Sequence, residues 1–239
     1  MTAPHDPATA YEHYDAFADW GIRAFATTRA AGTFGSASQE PAAAVLGRWD
    51  ALLQHVRVSG VTRLATARQV HGAEVIAHVP GWVGWLRGGD ADGHLALDRG
   101  TATAVTVADC VPVYVAHPSG ATALLHSGWR GTVAGILARA VALLSDAGLV
   151  ARDLRVLLGP SICGDCYEVS PDVYGQLTGR AVDRPTTVDL RAVIADHARA
   201  LGVRDVRIVS SCTRCDNGRF YSHRASDPGR QLGVLYAPA

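Results

Sequence analysis

Lysine is absent from this 239-residue chain, and all 22 basic residues are arginine. No lysine Schiff base, no pyridoxal-phosphate attachment and no P-loop lysine is therefore available to it. Net charge of one sign is also missing, because 22 acidic residues balance the arginines. That balance argues against a nucleic-acid partner and against an anionic membrane surface. No long apolar run is present. The most apolar stretch, 133–144, is interrupted by Arg139 and is too short to cross a bilayer. The first twenty residues lack the basic and apolar regions of a secretory leader, so a soluble, cytoplasmic protein is expected. Cysteine is scarce and odd in number, five in all, which fits a reducing compartment better than a disulfide framework.

With 48% hydrophobic and 18% charged residues, the chain has the composition of a folded domain with a sizeable core. Residues 1–19 read as a polar, flexible lead-in and 20–239 as a single catalytic domain. Strand patterns occur at 22–28, 61–70, 101–109, 154–159 and 206–212, with 74–79 as a hairpin partner of 61–70. The strings "PVYVAHP" and "ATALLH" flank Ser119-Gly120 as a second hairpin, and 81–93 reads as a glycine-rich loop. Helical spacing appears in 41–56, in 133–144 before Gly148, and in a segment capped by Asp189 and closed by Gly202. Strands outnumber helices in an irregular order. The fold class predicted is α+β, with mixed β-sheets packed in layers and helices outside.

Three residues with metal-ligand side chains share one kind of setting. His71, Cys110 and His126 each stand where an apolar strand gives way to a turn containing glycine or proline. If those strand ends are neighbours, one thiolate and two imidazoles converge. Such a set suits Zn²⁺, and three protein ligands leave a fourth position for water or substrate. Cys110 otherwise reads as a small buried hydrophobe. Arg130 precedes a predicted helix and is a candidate donor to phosphate or carboxylate, or else pairs with a surface aspartate. Trp129 reads as a stacking platform or as a core plug. In "GGDADG", Asp90 and Asp92 either orient a ligand histidine or merely shape a turn. The pairs Cys163/Cys166 and Cys212/Cys215 form two CxxC units, a pattern of second metal sites as well as of plain reduced cysteines.

Read together, "RQVHG" (68–72), "DADG" (90–93), "VADCVPV" (107–113), "HSGWRGT" (126–132), "GPSICGDCYEV" (159–169), "CTRCDNGRFYSHR" (212–224) and "GRQ" (229–231) closely resemble the YfiH family. This is the laccase-domain or multifunctional purine nucleoside phosphorylase family, which includes mammalian FAMIN. The resemblance covers nearly the whole chain. It implies a fold related to the catalytic domain of cytotoxic necrotizing factor and one zinc held by His71, Cys110 and His126, which would also be the catalytic set. It implies phosphorolysis of adenosine, inosine, guanosine and methylthioadenosine, with deamination of adenosine, so purine nucleosides and phosphate are the expected partners. Two alternatives come with the family: a peptidoglycan editing factor, read as a Cys110–His126 hydrolase of cell-wall precursors, and a copper-dependent polyphenol oxidase (laccase). A non-enzymatic role in cell division is a further reading.

This sequence departs from the family pattern in two places. The early string "TTRAAGTFGSAS" (27–38) keeps Arg29, a candidate substrate- or phosphate-binding residue with Arg130 and Trp129, but lacks a Gly-Gly pair. Cys163 stands where the family has glycine. The oligomeric state is left open.

Overall fold

The computed structural model describes residues 9–35 and 38–239. Its strands are β1 (Tyr11–Tyr14), β2 (Arg23–Thr27), β3 (Arg63–Arg68), β4 (Val75–His78), β5 (Gly84–Asp90), β6 (Gly93–Ala96), β7 (Thr101–Val107), β8 (Val111–Ala116), β9 (Thr122–Ser127), β10 (Arg155–Leu158), β11 (Glu168–Val169), β12 (Thr186–Thr187), β13 (Asp205–Ile208) and β14 (Gln231–Tyr236). Its α-helices are α1 (Ala42–Arg57), α2 (Trp129–Val133), α3 (Ile136–Asp146), α4 (Pro171–Thr178) and α5 (Leu190–Ala200). Two six-stranded mixed sheets carry the fold, in the orders β1-β2-β14-β7-β3-β5 and β13-β10-β8-β9-β6-β4, and β11 and β12 form a small ribbon.

The two-residue period of the strands explains the layers. In β8, Val111, Val113 and Val115 face α3 and α5, while Tyr114 and Ala116 face the first sheet. In β14, Leu232, Val234 and Tyr236 face α1, while Leu235 faces the second sheet. Both faces of each central strand are apolar, so β8, β9 and β14 are buried along their whole length. The result is four layers: α1, first sheet, second sheet, then α3 with α5. The expected α+β class with mixed sheets and outer helices is what the chain adopts.

Several local expectations need correction. Segment 74–79 is no hairpin partner of β3: β4 lies in the other sheet, parallel to β6. The glycine-rich stretch 81–93 contains the edge strand β5, which runs parallel to β3. Glycines there lower strand propensity, but an edge strand needs only one paired side. Residues 11–20 are no loose lead-in, since β1 pairs with β2 and Phe17 is fully buried between the sheets. Residues 1–8 lie outside the described part. The predicted helix 133–144 is two pieces, because Gly135 adopts a left-handed conformation (φ 78°) between α2 and α3.

Candidate metal centre

His71, Cys110 and His126 converge. One ligand atom from each, an imidazole nitrogen or the thiol sulfur, lies within 4.8 Å of the others. The topology produces this meeting. β3 and β7 are parallel neighbours, so the loops carrying His71 and Cys110 leave the first sheet at the same end. The Cys110 loop then crosses to β8 of the second sheet, where Pro112 pairs with His126 of β9. His126 shares the face of Leu124, which is turned toward the first sheet.

Each ligand is fixed from behind. Asp92, fully buried, accepts the backbone N–H groups of Val70 (3.0 Å), His71 (3.0 Å) and Gly72 (2.7 Å). The same carboxylate takes His126 Nδ1 at 2.7 Å, which leaves Nε2 for the site. One carboxylate therefore positions two of the three ligands. Asp90, its alternative in the same string, instead pairs with Arg68 at the surface. Gln69 bonds the backbone of Thr106 in both directions, at 2.7 and 2.8 Å, and so anchors the His71 loop to β7. Asp109, beside the thiol, accepts Thr213 Oγ1 (2.6 Å) and the Arg224 amide (2.7 Å). Of three non-glycine residues with positive φ among the described residues, two are His71 (61°) and Asp109 (79°). Strained backbone at two neighbouring points marks a site held in place by its surroundings.

The charges favour a thiolate beside an imidazolium when no metal is bound. Burial opposes ionisation of Cys110, but the charge and hydrogen bonds of His126 and His71 prevail and pull its thiol down to about 6. Burial likewise disfavours charged His126, yet Cys110 and Asp92 push it up to about 9. An aspartate next to Cys110 is expected to oppose thiolate formation. Here its carboxylate is engaged by Thr213 and Arg224, and His126 supplies the cation.

Gly128 is required by this packing. A Cβ there would lie 2.9 Å from Cys110 Sγ and 3.5 Å from His71 Cδ2. Gly128→Ala is expected to push the thiol off its position and lower metal affinity about tenfold or more, with a stability loss of roughly 1–3 kcal/mol. Metal titration and thermal unfolding of the variant read both effects.

A cavity of about 250 Å³ opens onto His71 and Cys110, with His126 buried behind them, and is also lined by Asp109, Trp129, Arg130, Tyr167, His223 and Arg224. Trp129, partly buried, packs against the core cluster that contains the α3 residues and also lines the cavity. Arg130 lies inside α2 rather than ahead of a helix. Its guanidinium stands 4.4 Å over the Trp129 ring and pairs with no carboxylate among the described residues. Arg29 is placed elsewhere. It binds Asp227 and the carbonyls of Asn217 and Phe220, stacks on Tyr221, and does not line the cavity. His223, Arg224 and Thr213 were not singled out from the sequence. They stand in the "CTRCDNGRFYSHR" string, and that clustering was the available signal.

Fold and site together define a layered α+β protein with a Cys–His₂ cluster that could hold a metal ion. The family model described as multi-copper polyphenol oxidoreductase laccase matches residues 26–237, and the chain belongs to that family. A purine nucleoside phosphorylase from Streptomyces coelicolor is 32% identical over 189 residues, covering 73% of this chain and 75% of that protein. A protein named adenosine deaminase, from an unknown prokaryotic organism, is 36% identical over 154 residues, covering 58% of this chain and 59% of that one. Among solved structures, YlmD from Geobacillus stearothermophilus superposes with a TM-score of 0.84 at 25% identity, covering 95% of this chain and 94% of that one. A hypothetical protein YfiH from Bacillus licheniformis has the same fold, with a TM-score of 0.83 at 21% identity over 96% of this chain and 97% of that one. No helix among the described residues is long and apolar enough to cross a membrane.

Proposed function

We propose that this chain is a zinc-dependent purine nucleoside phosphorylase that also deaminates adenosine. The observation that carries the reading is one cavity in which His71 and Cys110 of the Cys–His₂ cluster meet two aromatic rings and an arginine that has no carboxylate partner among the described residues. The relatives' names supply the substrate class. The donor set fits the metal. One soft thiolate and two imidazoles, with Asp92 behind His126, suit a tetrahedral Zn²⁺ with one open position. When bound there, zinc supplies Lewis acidity toward a water or a substrate oxygen.

The chain's own residues account for the rest. Trp129 and Tyr167 offer flat surfaces to a purine ring. Arg130 is free to take phosphate as a bidentate donor. In phosphorolysis a phosphate oxygen bonds to ribose C1′ while the bond from C1′ to the purine nitrogen breaks. The purine leaves with the electron pair and needs a proton, for which His223, an imidazole that lines the cavity, is the candidate donor. Reduction of dioxygen by a laccase takes several electrons, and one three-donor set holds a single ion, so copper oxidation is the weaker reading.

Metal-loaded protein is expected to convert adenosine and phosphate to adenine and ribose-1-phosphate, and adenosine alone to inosine. Removing the metal with a chelator should abolish both reactions, and restoring zinc should recover them. No turnover of any purine nucleoside by the loaded protein would overturn the proposal. A second reading has one observation in its favour, the closeness of the Cys110 thiol to the His126 imidazole, which is the pairing of a thiol hydrolase. Such an enzyme keeps its activity through chelation.

A further inference from the structure

We propose that Cys163, Cys166, Cys212 and Cys215 hold a second, structural zinc ion, separate from the cavity. β10 and β13 are parallel neighbours, and the chain leaves both at the same end. Pairing continues as a bridge between Ser161 and Cys212. The two CxxC turns are thereby set side by side, although far apart in sequence. All four sulfurs lie within 4.8 Å of one another. Cys215 Sγ is 3.5 Å from Cys166 Sγ and 4.0 Å from Cys163 Sγ. A tetrahedron of thiolates with zinc–sulfur bonds of 2.3 Å has edges of about 3.8 Å, so these separations bracket the required one. They are well beyond a sulfur–sulfur bond, and all four cysteines are free.

Two further features separate a metal cage from a chance cluster. The amides of Cys163 (3.2 Å) and Cys215 (3.4 Å) donate to Cys212 Sγ, the arrangement that stabilises a thiolate ligand. And the group is no apolar core. Only Cys212 is buried, Cys163 and Cys166 are half-buried, and Cys215 is exposed. None of the four belongs to a hydrophobic cluster. Burial of apolar surface does not account for their gathering, whereas ligation does. A set of four thiolates in two CxxC units selects zinc among the common divalent ions.

The ion would pin one wall of the cavity. Thr213, between the two cysteines of its unit, donates to Asp109 beside Cys110. Tyr167 follows Cys166 directly and lines the cavity, and Arg224 donates to the carbonyls of Cys166 (3.4 Å) and Glu168 (2.9 Å).

The test is a zinc count on protein purified under reducing conditions without added metal. A His71→Ala, Cys110→Ala variant, which lacks two of the three cavity-side ligands, should retain one zinc per chain in native mass spectrometry. The Cys163→Ser, Cys215→Ser variant should lose one zinc relative to wild type, with a Tm lower by at least about 5 °C. If the cavity variant does not fold, alkylation of the wild type decides the matter. Cys215, though exposed, should resist iodoacetamide in the folded protein and react once zinc is stripped. The proposal is overturned by rapid alkylation of Cys215 in the folded protein, by a disulfide among the four, by iron in place of zinc, or by unchanged zinc in the cysteine variant.

Discussion

Asp92→Ala is expected to cost this protein about 3–5 kcal/mol of stability and most of its metal affinity, although Asp92 is fully buried and does not line the cavity. The carboxylate accepts three consecutive backbone amides from 70–72 and the Nδ1 proton of His126. Alanine leaves three partly buried amide donors and one buried imidazole N–H without their acceptor. Each unmade bond costs roughly 1–3 kcal/mol, partly recovered as the His71 loop relaxes. For a chain of this size the Tm should fall by roughly 10 °C. Asp92→Asn keeps the shape and one acceptor oxygen, so it should lose less stability but still 10- to 100-fold in metal affinity. The pH dependence has a definite sign. Burial raises the Asp92 carboxyl, but His126 and the amides of Gly72 and Val70 outweigh it and hold the group below the ordinary carboxylate value. Its stabilisation is present above the unfolded value near 4 and is lost as pH falls through the folded one. Acid unfolding curves of wild type and Asp92→Asn should therefore converge at low pH. Equal stability of the two proteins at pH 7 would show that the carboxylate does not hold the loop.

Much of this centre is legible in the sequence because the strand ends are. His71, Cys110 and His126 stand where apolar period-two runs stop at glycine or proline, and β7, β8 and β9 form as their patterns predict. The convergence of the three is a property of sheet order, which local pattern does not contain. It depends on β3 lying parallel to β7 and on the crossing of the chain from β7 to β8 between sheets. Asp92 illustrates the same limit. As a turn residue and as a carboxylate behind a histidine it reads identically in sequence, and only the pairing of β6 with β9 decides. The misread elements failed for physical reasons too. β5 is an edge strand rich in glycine, and the lead-in is ordered because β1 pairs with β2 and Phe17 fills the space between the sheets. Arg29, a phosphate-binding candidate by sequence, is bound by groups nearly two hundred positions away.

Cys110→Ala is expected to lower turnover of adenosine at least a thousandfold, about 4 kcal/mol of transition-state stabilisation, while leaving the fold intact. Alanine fits the space of a half-buried thiol, so only a small cavity and no unpaired charge results. The loss arises in one of two ways, and metal and pH separate them. If the thiolate is a ligand, the variant should also lose its cavity metal, and the double variant with His71→Ala should be no worse than either single one. If it is a nucleophile, the variant keeps whatever metal the wild type holds, and metal-free wild type stays active. The metal-free nucleophile would then work only while Cys110 is ionised and His126 protonated. Activity would rise through about pH 6 and fall through about pH 9, the two values that the ion pair sets. Loss of metal in the single variants, with no such bell in the stripped wild type, fits the metal reading alone. Retention of full activity by the double variant would exclude both, because neither a three-donor metal centre nor a cysteine nucleophile survives those changes.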